Sequence, residues 1–184
     1  MQDFSSDNDV ELIKSFVNGD ESAFNRLIIK YQDKIYWHAR RMVGNHLDAD
    51  EILQEVLIVI YKKLKTFEFK SNVYTWIYTI THTRSINYIK KQKLKTLLSL
   101  SEAKNFEDTE NNIVASLEHK QKLQLIEKAL QKLPVKQREV FVMRNYDEMN
   151  YEEISQVTGK SVGALKANYF HALNKVKELV KNDE

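Results

Sequence analysis

Between Tyr61 and Lys95 the chain sets nine basic residues (Lys62, Lys63, Lys65, Lys70, Arg84, Lys90, Lys91, Lys93 and Lys95) against a single acid, Glu68. Beyond Tyr61 itself, six aromatic residues, Phe67, Phe69, Tyr74, Trp76, Tyr78 and Tyr88, are threaded through the same stretch. Lysine and arginine neutralise phosphates, and an exposed ring can stack on an unpaired base, worth about 1–3 kcal/mol per base. Together they have the chemistry of a surface for single-stranded nucleic acid. A solvated helix face also collects lysines, but it has no need of interleaved rings. Six rings cannot all be exposed, and Phe67 and Trp76 are expected in the core. The rest of the chain offsets the block, so that the whole carries only +2. From Met1 to Ser22 six acids face Lys14 alone, and from Ser101 to Glu118 five acids face Lys104. Charge concentrated in one block of a near-neutral chain is the footprint of a polyanion site.

A second constellation lies near the end. Asn150-Tyr-Glu-Glu153 has the form of a capping box that opens a helix carrying Ile154 and Val157. Thr158-Gly159-Lys160 then makes a tight turn, with glycine where a left-handed residue is wanted. Ser161 caps another helix, with Val162, Leu165, Tyr169, Leu173, Val176 and Val180 as its inner stripe. Two helices joined by a short glycine turn form a helix-turn-helix, whose second helix enters the major groove by its N-terminal part. Ser161, Gly163, Ala164, Lys166, Ala167, Asn168, Phe170 and His171 lie off the stripe. Packed helical hairpins give the same pattern without binding DNA.

Chemistry of other kinds finds little support. There is no Cys, hence no thiolate nucleophile, disulfide or Cys-based zinc site. The five His are scattered, and neither a Gly-rich phosphate loop nor His-Glu-x-x-His occurs. Asp48, Asp50, Glu51 and Glu55 could suggest a metal site, but acids at a helix start are explained by the helix dipole. No enzyme, catalytic residue, metal, cofactor or small-molecule substrate is expected. The first residues, Met1 to Lys14, lack the basic start and apolar core of a signal peptide, and the longest apolar run, Val56 to Ile60, is too short for a bilayer. A cytoplasmic protein is expected.

Four Gly and one Pro in 184 residues, with 42% hydrophobic residues, predict long helices with few breaks and no sheet. Asp9 is expected to cap a short helix with Val10, Ile13, Phe16 and Val17, stopped by Gly19. Asp20 caps a long helix with Phe24, Leu27, Ile28, Tyr31, Ile35, Ala39 and Met42 on one face, ending at Gly44-Asn45. Asp48 is expected to cap a third helix, with Ile52, Leu53, Val56, Leu57, Ile60 and Leu64 inward. Thr66 to Asn72 reads as a loop and Val73 to Lys93 as a fourth helix. Polar, acidic residues 94–118 read as a flexible linker between domains at 9–93 and 119–181. Periodicity resumes with Leu123, Ile126 and Leu130, and Pro134 marks the start of a helix to Asn145.

Asp48-Ala-Asp-Glu-Ile-Leu-Gln-Glu55, Thr66-Phe67 and Tyr74-Thr-Trp-Ile-Tyr78 resemble conserved region 2 of bacterial RNA polymerase sigma factors. Leu133-Pro-Val-Lys-Gln-Arg-Glu-Val-Phe-Val142, Tyr151-Glu-Glu-Ile154 and Ser161-Val-Gly-Ala-Leu-Lys166 resemble region 4, in the correct order. The pattern is that of the extracytoplasmic-function (ECF) class, which keeps only these two regions, and it covers about residues 10 to 180. The resemblance implies core RNA polymerase and promoter DNA as partners, and promoter-directed transcription initiation as function. It implies that Asp48, Glu51, Gln54 and Glu55 dock the polymerase. It implies that Phe69, Lys70, Ser71, Asn72, Tyr74, Thr83, Arg84, Asn87, Lys90 and Lys91 read and melt the −10 element. Ser161, Val162, Gly163, Ala164, Lys166, Ala167 and His171 would read the −35 element as duplex. Members of the class are often held inactive by an anti-sigma factor.

The chain departs from the family at several points. Glu68-Phe69-Lys70 stands where an Arg-Gly-Asp-like loop is usual. Thr79 replaces a common Arg, Thr83 a common Asn, and Asn168 and His171 occupy common Arg positions. Lys166 remains as the positive reader of the −35 element. The alternative is a free-standing regulator whose helix-turn-helix binds an operator unaided. It accounts for Tyr151 to His171 but leaves the basic-aromatic block and the acidic face unexplained.

Overall fold

The computed structural model describes residues 7–98 and 117–182, which form eight helices and, among the described residues, no strand. Of the expected linker, residues 99–116 lie outside the described part. The N-terminal helices are α1 (Asp7–Val17), α2 (Glu21–Val43), α3 (His46–Leu64) and α4 (Val73–Leu98). Asp20 caps α2 as expected, accepting from the Ser22 N–H at 3.0 Å. Gly44 closes α2 in the left-handed region at φ 93°, its N–H on the Arg40 carbonyl. Ile13, Phe16, Leu27, Tyr31, Ile35, Ile52, Val56, Ile60 and Leu64 are fully buried, so the stripes read at three- and four-residue steps do face inward.

Two of the expected caps are corrected. Asp9 lies inside α1, not before it, and is fully buried. It accepts from the Tyr31 hydroxyl at 2.6 Å and from Lys30 at 2.7 Å, which ties α1 to α2. The cap of α3 is Asn45, whose side chain accepts from the Asp48 N–H at 2.9 Å, and Asp48 sits in the first turn. Asparagine and aspartate both suit either role, and their order along the chain does not separate cap from first turn.

Helix α4 runs five residues past the expected end, to Leu98. Its threonines and serine would favour strand or turn, yet they are absorbed by back-bonding along the helix. Thr79 donates to the Thr75 carbonyl at 2.8 Å, Thr81 to Ile77 at 2.9 Å, Thr83 to Thr79 at 2.7 Å and Ser85 to Thr81 at 3.0 Å. Thr75, Thr81, His82 and Ser85 are buried because α4 packs on α2 and α3 with one side and on α7 with the other. A helix covered on two sides has no single apolar stripe, which explains its weak periodicity.

The C-terminal helices are α5 (Leu117–Lys132), α6 (Val135–Asn145), α7 (Tyr151–Thr158) and α8 (Val162–Asn182). Pro134 is the N-cap of α6, at the helix start where it was expected. The capping box is present: Asn150 accepts from the Glu153 N–H at 2.9 Å, and Glu153 accepts from the Asn150 N–H at 2.8 Å. Leu130, Leu133, Phe141, Val142, Ala172 and Val176 make a core that also takes in Met42 of α2. Val140, Met143, Met149, Ile154, Val157 and Leu165 join the cluster built by α1 to α4. The chain is therefore all-α with two helical domains, and the domains pack directly on one another.

Candidate polymerase and nucleic-acid interfaces

Three surfaces carry the residues singled out by sequence. The first is the outer face of α3. Glu51, Gln54 and Glu55 are exposed along it, at positions i, i+3 and i+4. Asp48 is half-buried, holding the Asn45 side-chain amide at 2.7 Å. The Tyr88 hydroxyl of α4 is pushed up from its ordinary pKa by burial first and then by a hydrogen bond to Asp48. Leu47 (74% exposed) and Ile58 (54%) lie on the same face as Glu51 and Gln54. Sequence reasoning missed these two. Their signal was that they fall outside the inner stripe of α3 although they are large and apolar. Glu55 lies 3.7 Å from Arg84 of α4, so a carboxylate expected to dock polymerase faces a guanidinium expected to follow DNA.

The second surface is the loop before α4 with the outer face of α4. Here the rings are placed otherwise than expected. Tyr74, Tyr78 and Tyr88 are buried, while Phe67 and Trp76, expected in the core, are half-buried. The physical reason is long-range packing: α7 packs on α4, the Tyr74 hydroxyl donates to the Asp147 carbonyl in the α6–α7 connection at 2.5 Å, and the Tyr88 hydroxyl is held by Gln92 and Asp48. Of the six rings only Phe69 is exposed, at 44%. It sits at φ 55°, edge-on to Phe67 at 4.9 Å, and Phe67 rests on Trp76 at 4.9 Å. Asn72 is committed to the backbone, accepting from the Tyr74 N–H at 2.8 Å. Lys70 pairs with Glu68, and Ser71 is exposed.

On α4 itself, Thr83, Asn87, Lys90 and Lys91 are exposed at i, i+4, i+7 and i+8, one continuous face, with Arg84 half-buried beside it. The basic block is split. Lys62 to Lys70 stand at one end of α4 and Lys90 to Lys95 at the other, about 25 Å apart at about 1.5 Å per residue.

The third surface is α8. Gly159 turns the chain at φ 70°, with its N–H on the Ser155 carbonyl, and the Ser155 hydroxyl closes the turn on the Lys160 carbonyl at 2.6 Å. Ser161 accepts from the Ala164 N–H at 3.3 Å. Ser161, Gly163, Ala164, Lys166, Ala167, Phe170 and His171 are exposed together, and Val162 is half-buried. Leu165 and Ala172 anchor the opposite face. The Lys166 ammonium stands 5.7 Å from the Tyr151 ring centre, so α7 helps to orient it. Asn168 turns back to the Ala164 carbonyl at 2.8 Å.

A buried polar group lies between the two halves. His82 of α4 faces Glu139 of α6 at 3.5 Å, and Glu139 pairs with Lys160. Burial, then the neighbouring charges of His38 and Lys160, lower the His82 pKa to about 3. Burial and then Lys136 lower that of Lys160. Among the described residues no group of three or more His, Cys, Asp or Glu is placed to hold a metal ion, and no helix is long and apolar enough to cross a membrane.

Two helical domains, one with an outward acidic helix and the other with a helix-turn-helix, match two family models in order: Sigma-70 region 2 over residues 27–95 and Sigma-70, region 4 over residues 123–176. The chain is 30% identical over 188 residues to the ECF RNA polymerase sigma-E factor of Escherichia coli (strain K12), covering 94% of this chain and 96% of that protein. It is 32% identical over 165 residues to the ECF RNA polymerase sigma factor SigW of Bacillus subtilis (strain 168), covering 84% and 87%. The chain belongs to the ECF RNA polymerase sigma factors. It is a promoter-directed transcription initiation factor, and two regions matched in order disfavour the free-standing regulator.

The fold agrees with solved relatives. The sigma factor RpoE in complex with the anti-sigma factor NepR from Bartonella quintana superposes with a TM-score of 0.75 at 24% identity, covering 88% of this chain and 98% of that one. CnrH in complex with the cytosolic domain of CnrY gives 0.72 at 21% identity, covering 97% and 100%.

Proposed function

We propose that the outer face of α3 is the polymerase dock of this chain, with Glu51 and Gln54 as polar contacts and Leu47 and Ile58 as apolar anchors. The observation that carries this is an exposed stripe that mixes acids with large apolar side chains on one helix. Apolar side chains exposed beside charged ones mark interaction sites more often than bare charge does. Asp48 acts from behind by fixing the start of α3, and Glu55 shares its charge with Arg84. Charge reversal at Glu51, read by co-purification with core RNA polymerase, tests the dock. Retention of the variant at the wild-type level removes α3 from the interface.

The loop and α4 serve the −10 element. Phe69 is the ring that meets an unpaired base, flanked by Lys70 and Ser71, while Thr83, Arg84, Asn87, Lys90 and Lys91 follow the strand along α4. Asn72 positions α4, and Tyr74 becomes available only when the Asp147 segment moves away. Duplex recognition at −35 belongs to Ser161, Gly163, Ala164, Lys166, Ala167 and His171, with Val162 seating the helix start. The −10 domain is taken as residues 9–93 and the −35 domain as residues 119–181, joined by residues 94–118. The chain works in the cytoplasm, where the polymerase is, and not as an enzyme. Solved relatives bound to an anti-sigma factor support such a partner here also.

A further inference from the structure

We propose that the outward face of the last turns of α4 binds an anionic membrane surface: Leu94, Leu97 and Leu98 enter the lipid, and Lys90, Lys91, Lys93 and Lys95 meet its headgroups. Leu94 is 58% exposed, Leu97 75% and Leu98 76%. They stand at i, i+3 and i+4, which makes one face of the helix. Ser85 and Tyr88 are buried and Ile89 and Gln92 half-buried, so these four mark the side of α4 turned to the body. At about 100° per residue the leucines lie roughly opposite that side. They continue the outward line of Thr83, Asn87 and Lys90 to the end of the helix.

The charges around them are of one sign. Between Arg84 and Leu98 the sequence has four lysines and no acid, and all four are exposed. Lys93 and Lys95 fall on either side of the leucines around the helix, and Lys90 and Lys91 precede them by one turn. Asp48 and Glu51 of α3 act on this part of α4 at Tyr88, on the inward side.

This pairing of side chains selects the occupant. Nucleic acid accounts for the lysines but not for three leucines, since a phosphate offers nothing to an apolar side chain. An apolar groove on a protein would take the leucines but has no need of lysines all round them. A lipid surface uses both. A basic amphipathic helix lies in the membrane interface with its apolar face sunk about 5–10 Å, and anionic headgroups attract lysines within about a Debye length. The lysine stems lie along apolar surface while their ammonium groups stay at headgroup level. Lys90 and Lys91 also stand on the proposed −10 path, so a lipid surface and the −10 strand exclude one another. That consequence, and no other part, rests on the −10 reading.

The chain has no Cys, so Leu98→Cys on the full chain can carry one environment-sensitive fluorophore. With vesicles containing phosphatidylglycerol the emission should shift to the blue and the chain should float with the lipid. With vesicles of phosphatidylcholine alone neither should occur. On the unlabelled chain, Leu94→Ser and Leu97→Ser should each weaken vesicle binding about tenfold at unchanged helicity, because both side chains are exposed. Lys93→Gln should weaken it about fivefold, and added salt should weaken it further. Absence of flotation overturns the proposal. Equal flotation of the leucine variants and the parent overturns it too, since adsorption would then be by charge alone. If the leucine variants instead lose a concentration-dependent dimer, or lose co-purification with core polymerase, while the parent ignores vesicles, the face belongs to a second copy or to the polymerase, and the membrane is excluded.

Single-stranded DNA of the −10 element should displace the parent from phosphatidylglycerol vesicles. Blue-shifted, leucine-dependent binding that this strand fails to displace would uphold the membrane surface and count against the −10 path along Lys90 and Lys91.

Discussion

His82 makes the packing of the two halves sensitive to acid, and the size of the effect follows from its surroundings. The imidazole is buried on α4 and is faced by His38 from α2, Glu139 from α6 and Lys160 from the turn after α7. Burial, then the charges of His38 and Lys160, hold its pKa at about 3, against an ordinary 6.5 when the halves separate or unfold. The packed state therefore favours neutral His82. Its contribution is fully present above about pH 6.5 and is lost as pH falls from there toward about 3. At pH 5 the loss is about 2 kcal/mol, because one proton is taken up by the open state alone over about 1.5 pH units. With an m-value of about 2 kcal/mol per molar urea, the midpoint should fall by about 1 M between pH 7.5 and pH 5 from this group. Other groups titrate in the same window, so the decisive quantity is a difference. His82→Gln should be less stable at pH 7.5 or equal to the parent, and its midpoint should move about 1 M less on acidification. Parallel pH profiles for the two proteins would refute the reasoning.

Other outcomes follow from the three surfaces. Glu51→Lys should weaken core polymerase binding about tenfold with unchanged helicity, and Gln54→Ala should weaken it less, as measured by fluorescence anisotropy. Lys166→Ala should leave the fold intact and reduce the salt slope of −35 duplex binding by about 1 if it contacts phosphate, or cost about 1–3 kcal/mol at one base pair if it reads a base. Titrations at several salt concentrations on wild-type and single-mismatch duplexes separate these. Phe69→Ala should barely change the unfolding midpoint, because the ring is 44% exposed, yet reduce promoter opening by the stacking of one base, about 1–3 kcal/mol. A template already mismatched across the −10 region should recover part of that loss.

The elements were legible where one face alone is buried. Helices α2 and α3 announce themselves by stripes ending in Met42 and Leu64, and α7 by its capping box. The exposed face of α8 was legible for the same reason, because Leu165, Ala172 and Val176 fix which side is inward. Contacts between distant segments were not. Nothing local to Tyr74 says that Asp147, 73 residues away, will cover it, and so it read as exposed. The same long-range packing gives α4 two buried sides and blurs its period. Asp9 read as a cap because its partners, Lys30 and Tyr31, lie more than twenty residues ahead. On the proposed dock, Leu47 and Ile58 were passed over because apolar residues were assigned inward by default.

The central claim is that this chain opens promoters only as part of a polymerase. The direct measurement is permanganate reactivity of thymines on a promoter of this factor, with the chain alone, core polymerase alone, and both. Reactive thymines around −10 should appear only with both, and duplex binding by the chain alone should be weak. Tight, sequence-specific duplex binding by the chain alone, with no thymine reactivity when core polymerase is added, would contradict the account.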